Sequence, residues 1–268
     1  MRRLSLLALL VVGLLPISAR AHDYWLEFQP LHPARGGELD LSLWVGEDFV
    51  AEKQKQMQLD RTFGFRLVRR GGSENLLRLA RDNAMPLLRW RPATAGGHIL
   101  ALERGYSHIE MRARKFNKYL AHEGLAPILA ERRARFEHLW RARERYSRYL
   151  KAFVQIGDVA DGVSMQVLNL RLEIVPDRDL ASIKPGEKFG VAVRFEGRPV
   201  PGLQVEAFVR TPAGVRGQKA TTDASGHAEF TVEQSGAWLV RTVHMQRCLG
   251  CSDADWESFW AGYTFAVR

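Results

Sequence analysis

From Tyr24 to about Leu102 the apolar residues fall in short runs with partial alternation, over Asp23 to Phe28, Glu38 to Val45, Phe63 to Arg69, Leu87 to Trp90 and His98 to Leu102. Clusters such as Arg35-Gly36-Gly37, Arg70-Gly71-Gly72-Ser73 and Ala95-Gly96-Gly97 separate them, which is the punctuation of an antiparallel β-sandwich. Between Arg112 and Phe153 the spacing lengthens. Leu125, Ile128, Leu129, Phe136, Leu139, Trp140, Tyr146, Tyr149, Leu150 and Phe153 recur at three, four and seven, with arginines filling the gaps. That period predicts helices, a short one over Lys115 to His122 and a long one from Ala126 to Phe153, with a break at Gly124 and Pro127. From Met165 onward β punctuation returns, with strands expected over Leu168 to Ile174, Phe189 to Phe195, Leu203 to Arg210, Ala228 to Val232, Ala237 to His244 and Gly262 to Val267.

The expected architecture is therefore mainly β, with two Ig-like or transthyretin-like sandwiches and a helical insertion. Residues 22–110 form the first sandwich, 111–155 the insertion and 165–268 the second sandwich. Residues 1–21 read as a secretory signal: Arg2 and Arg3, an apolar run from Leu4 to Leu15, Pro16, then Ala19-Arg20-Ala21 as a cleavage pattern. The apolar run is too short to span a bilayer, so the processed protein is expected in the periplasm and not membrane-spanning.

Composition changes the picture in two places. The formal charge is +9; residues 1–21 hold three arginines and no acid, so their removal would leave +6, much of it within Arg112 to Lys151. An exported protein seldom meets a polyanion, so this stripe is read as a solvated face and nucleic-acid binding is set aside. The two cysteines, Cys248 and Cys251, are too few for a disulfide framework.

Candidate chemistry begins at His22. Cleavage after Ala21 makes it the first residue, whose freed amine and ring Nδ1 can chelate a divalent ion; such nitrogen donors suit nickel(II) and copper(II). His98 follows a Gly-Gly turn at the head of a strand, and His244 closes the strand Trp238 to Val243, so both are candidate further ligands. Cys248-x-x-Cys251 leaves three readings open: a local disulfide, a soft metal site with His244, and a redox motif, the last without the βαβ setting it needs. The stretch Asp253 to Trp260 is read as a loop whose Asp255 and Glu257 could orient metal ligands. No Gly-x-Ser-x-Gly elbow and no phosphate-cradling glycine loop occurs, so hydrolase and nucleotide readings fall away and no enzyme is expected.

Several segments in order carry a resemblance. They include His22-Asp23-Tyr24-Trp25-Leu26-Glu27, Gly96-Gly97-His98, Lys115-Phe116-Asn117-Lys118-Tyr119-Leu120, Gly236 through Met245, and Asp255-Trp256-Glu257-Ser258-Phe259-Trp260. The chain resembles exported bacterial proteins of a domain-of-unknown-function family labelled as periplasmic components of cobalt/nickel transport, related to the NikM/NikK type. That resemblance implies a protein that captures nickel or cobalt, with copper or zinc as alternatives, and delivers it to an inner-membrane transporter. It places His22, His98 and His244 at the family's histidine positions; Cys248, Cys251, Asp255 and Glu257 are a second tier of candidates read from residue type and place, and cysteines are not expected in every family member. Two rival classes are a copper-dependent oxidative enzyme built on the His22 chelate and a structural sandwich that binds another envelope protein.

Overall fold

A computed structural model describes residues 22–268; the expected export signal lies outside the described residues. In chain order the elements are β1 (Asp23–Gln29), β2 (Leu39–Glu47), β3 (Val50–Lys55), β4 (Thr62–Arg69), β5 (Gly72–Asn75), β6 (Leu88–Trp90) and β7 (Gly96–Met111). Two helices follow, α1 (Ala113–His122) and α2 (Ala126–Ala134), then β8 (Ala142–Ile156), β9 (Leu172–Pro176), β10 (Lys188–Phe195) and β11 (Arg198–Pro199). The last five are β12 (Gln204–Thr211), β13 (Gly214–Thr221), β14 (His227–Thr231), β15 (Gly236–Arg247) and β16 (Trp256–Val267). The molecule is mainly β, with several sheets in sandwich-like packing and two short helices.

An eight-stranded sheet in the order β13-β12-β15-β16-β8-β7-β4-β5 forms the middle layer. On one face sits a small sheet of β1, β2, β3 and β6, whose Leu26, Phe28, Leu41 and Leu43 meet Phe65, Leu100, Leu102, Leu150 and Val154. Beside it on the same face, α1 and its neighbours cover Val243, Met245, Trp256 and Trp260. The opposite face carries the sheet of β9, β10, β11 and β14 over Ile99, Ala101, Tyr149, Phe153, Trp238 and Phe259. The middle sheet draws β4, β5 and β7 from the first expected sandwich and β12, β13, β15 and β16 from the second, so the two halves share one sheet.

Helix α1 forms where Phe116, Tyr119 and Leu120 recur on one stripe, each buried side chain contributing about 1.5–3 kcal/mol. It ends before Gly124, at φ +70°, a conformation that costs other residues a clash at Cβ. Pro127 sits in the first turn of α2, where its missing N–H would have no helical partner anyway.

The expected helix from Ala126 to Phe153 needs correction, because it stops at Ala134 and residues 142–156 form β8, at the centre of the large sheet. Tyr146 and Leu150 face one side of it, Tyr149 and Phe153 the other. Two alternating sets offset in this way fall at i, i+3, i+4 and i+7, the same spacing as one helical stripe. Most of the charged residues of β8 fit a buried strand because they are partnered. Lys151, 2% exposed, meets Glu173 at 3.0 Å, and Glu173 also accepts the Leu168 N–H at 2.8 Å. A second correction concerns the expected loop Asp253 to Trp260, whose residues from Trp256 onward are the first half of β16, paired in parallel with β8.

Candidate functional site

The three histidines singled out by sequence do not meet. His98 pairs with Val154 of β8, while His244 stands opposite Phe259, whose partner on β8 is Ser147. Seven residues of strand therefore separate their rows, roughly 23 Å at 3.3 Å per residue. His98 is 1% exposed, its Nδ1 3.1 Å from the Gly96 carbonyl and its ring edge-on to Trp90, and burial holds its pKa below the ordinary imidazole value. His244 lies half-buried on Phe195 and Phe259, with its pKa likewise lowered by burial. It projects from the face of the large sheet opposite Trp260, whereas His22 lies on the Trp260 side.

The second tier is engaged elsewhere. Cys248 and Cys251 form a disulfide, so neither offers a thiolate. Asp255 accepts from the Arg143 guanidinium at 2.8 Å and from its backbone N–H at 2.9 Å; Glu257 accepts from Arg145 at 2.6 Å and from Gln246 at 2.7 Å. These pairs fasten the β15–β16 hairpin to the start of β8.

His22 gathers a different set, built by strand register. Asp23 pairs with Gly46, so continuing the ladder sets His22 opposite Glu47. On the other side of β2, Val45 pairs with Lys53 but Gly46 pairs with Ala51, which leaves Glu52 as the extra residue of a β-bulge. A bulge turns its extra side chain out of the regular alternation. Here it brings Glu52 Oε2 to 3.2 Å from His22 Nε2. Gly46 makes the bulge possible, since a Cβ there would lie 1.9 Å from the Val50 carbonyl oxygen. The turn that follows, Asp48-Phe49, has φ of +49° and +63° and tucks Phe49 against Trp25 at 5.2 Å.

One ligand atom from each of His22, Glu47 and Glu52 lies within 4.8 Å of the others. That spread is little more than twice a ligand–metal distance of about 2.1 Å, so small side-chain rotations would let one ion touch all three. Imidazole with two carboxylates is a donor set that divalent transition metals accept, and the half-exposed side chains leave a route for an ion to enter. Glu47 and Glu52 were not legible as ligands, because strand register brings the first to His22 and the bulge brings the second.

His22 and Glu52 also border a cavity of about 340 Å³ between β3, β8 and α1. Its floor is Glu144, fully buried, accepting from Tyr119 Oη at 3.1 Å and from the Ser258 hydroxyl, which in turn accepts the Trp260 indole N–H at 3.1 Å. Burial pushes the Glu144 carboxyl up to about 7, against the lowering effect of the Ser258 and Tyr119 hydrogen bonds. Arg148 lies on one wall with its guanidinium 3.9 Å from the Tyr24 ring centre and 4.5 Å from that of Tyr146. Lys53, Lys55 and Lys115 complete the lining on the basic side.

A short step away, β1 is anchored by a buried charge cluster. Arg241 meets Asp23 at 3.2 Å, Glu123 at 2.7 Å and Glu206 at 2.6 Å. Burial pushes the Asp23 carboxyl up to about 7, with Arg241 acting in the opposite sense. Burial also disfavours the Arg241 charge, yet the three carboxylates hold its pKa above the ordinary value.

Comparison with known proteins gives a family and little else. The family model described as "Domain of unknown function (DUF4198)" matches residues 19–246, so the chain belongs to that family. No curated protein matches it. Among solved structures, a tetra-tandem repeat in the extending region of a large adhesion protein is similar at 10% identity, covering 91% of this chain and 49% of that one, with a TM-score of 0.22. This chain thus spans about half the length of that structure, and the likeness is too slight to carry a fold. No helix among the described residues is long and apolar enough to cross a membrane.

Proposed function

We propose that this member of the DUF4198 family is an exported divalent-metal-binding protein that captures nickel or cobalt at His22, Glu47 and Glu52 and passes the ion to a membrane importer. The observation that carries the metal site is the convergence of those three side chains at the residue that cleavage after Ala21 would leave first. His22 was selected by its place in the sequence, and register and bulge supply it with two carboxylates independently. If the amine is freed, two modes of binding follow. In one, ring Nε2 and the two carboxylates hold the ion; in the other, the amine and Nδ1 chelate it while Nε2 donates to Glu52, a carboxylate–histidine pair that fixes the ring. Mixed nitrogen and oxygen donors widen the choice of ion relative to an all-nitrogen set, and nickel, cobalt, copper and zinc all belong in the test.

The test is calorimetric titration of the purified protein beginning at His22 with each of these ions. His22→Ala and Glu52→Gln are each expected to weaken binding by about 10- to 100-fold or more. A variant with one alanine added before His22 keeps the ring and displaces the amine, so a loss there assigns the chelate and no loss assigns Nε2 with the carboxylates. Absence of saturable binding by any of the four ions would sink the reading.

A further inference from the structure

We propose that the cavity beside His22 binds a small organic anion with several carboxylates, a chelator, so that the metal is held as its chelate rather than as a bare ion. The binding of the anion stands on the cavity alone; only its link to the metal rests on the function proposed above.

Most of this protein's half-buried arginines are matched: Arg145 by Glu257, Arg171 by Glu196, Arg210 by Glu27, and Arg247 by Glu131 and Glu137. Arg148 is half-buried too, yet it makes no ion pair and no side-chain hydrogen bond among the described residues, and the same holds for Lys53, Lys55 and Lys115 around the same cavity. The acids lining this space are spoken for by other groups, Glu144 by Tyr119 and Ser258 and Glu52 by His22. Four cations thus converge on one concavity and none forms an ion pair with a carboxylate among the described residues, though Arg148 is near enough to Glu144 to act on its charge; the excess is a potential that attracts anions.

Arg148 gives that potential a direction. Tyr24 and Tyr146 engage the guanidinium through their rings and leave its N–H groups without acceptors. A planar fork of N–H donors matches a carboxylate in two parallel hydrogen bonds, which a lone ammonium cannot do. The volume, about 340 Å³, falls in the range of small-molecule sites, and Tyr146 and Trp260 add apolar wall for a carbon skeleton. His22 and Glu52 stand on the rim of the same space, so an anion seated on Arg148 can place further carboxylates toward an ion at His22. Three protein donors leave coordination positions vacant on an ion that takes four or more, and a chelator is the chemistry that fills them.

Citrate and inorganic phosphate serve as probes, titrated separately into the wild-type protein, Arg148→Met and His22→Ala, with nickel absent and present. Citrate is expected to bind the wild type without metal, to bind more tightly with nickel, and to lose about 10- to 100-fold in Arg148→Met, the range for one charge-assisted hydrogen-bonded contact. His22→Ala should keep metal-free citrate binding and lose the gain that nickel brings. Thermal unfolding of Arg148→Met checks that the variant is folded, and Arg148→Lys, which keeps the charge and removes the fork, should recover only part of the affinity. Citrate affinity that is absent, or equal in wild type and Arg148→Met, overturns the proposal, as does phosphate binding as tightly as citrate. Nickel binding without any citrate effect overturns it while leaving the metal site standing. Citrate binding on Arg148 without nickel binding supports the anion site and sinks the metal reading.

Discussion

Arg241 and Arg148 project from the same face of the same sheet, on β15 and β8 with only β16 between them, and the protein treats them in opposite ways. Arg241 is 5% exposed and touches three carboxylates, one from β1, one from the end of α1 and one from β12, so it ties three elements together. Arg148 lies against two tyrosine rings and forms no ion pair among the described residues. A buried cation surrounded by acids is a structural joint, since removing it leaves charges that water cannot reach. A cation on a cavity wall with its donors unused is a place where something from outside can bind.

The largest expected effect tests the joint. Arg241→Met should cost about 3–5 kcal/mol in urea denaturation at pH 7, because Asp23, Glu123 and Glu206 lose their shared partner. A loss under about 1 kcal/mol would erase the contrast between the two arginines.

An intermediate effect concerns the acid beneath Arg148. The folded-state pKa of Glu144, about 7, lies above its ordinary 4.5, so the native state binds that proton more tightly than the unfolded chain. The resulting stability is complete below about pH 4.5 and is lost as pH rises through about 7. Wild-type stability should therefore fall between pH 5 and 8, and Glu144→Gln should remove roughly 1–3 kcal/mol of that fall. Asp23, raised to about 7 by burial against the pull of Arg241, acts in the same direction and should leave a residual slope in the variant. An unchanged slope in Glu144→Gln would show that this carboxyl is not titrating in the window.

The smallest effect sharpens the comparison from the other side. Arg148→Met should change stability by no more than about 1 kcal/mol, the scale of a partly exposed cation–π contact, while altering anion affinity as described above. A loss as large as that of Arg241→Met would make Arg148 a second structural joint.

Much of this molecule was legible along the chain. Turn clusters at Arg70 to Ser73 and Ala95 to Gly97 mark strand boundaries, and the stripe of Phe116, Tyr119 and Leu120 marks a helix, because these patterns depend on neighbours within a few residues. The importance of His22 could also be proposed from position alone, as the residue after a cleavage pattern. His98 and His244 were reasonable candidates by type and place, but which rows and faces of the sheet they occupy is a matter of register, and register puts them apart.

What the sequence determined by itself is the mainly β class, many of the places where the chain turns, the first helix and the start of the second; all of these follow from local conformational preference and from period. Only the tertiary structure decided that residues 142–156 are a central strand, because a strand buried on both faces shows no clean alternation and its pairing joins positions as distant as Arg145 and Glu257, 112 apart. It also decided the candidate site. Glu52 reaches His22 through a single extra residue in the β2–β3 ladder, and Arg148 makes no ion pair among the described residues because β1 and its own strand set Tyr24 and Tyr146 against its guanidinium. Charge by itself is readable in a sequence; whether that charge is matched depends on what the fold places beside it.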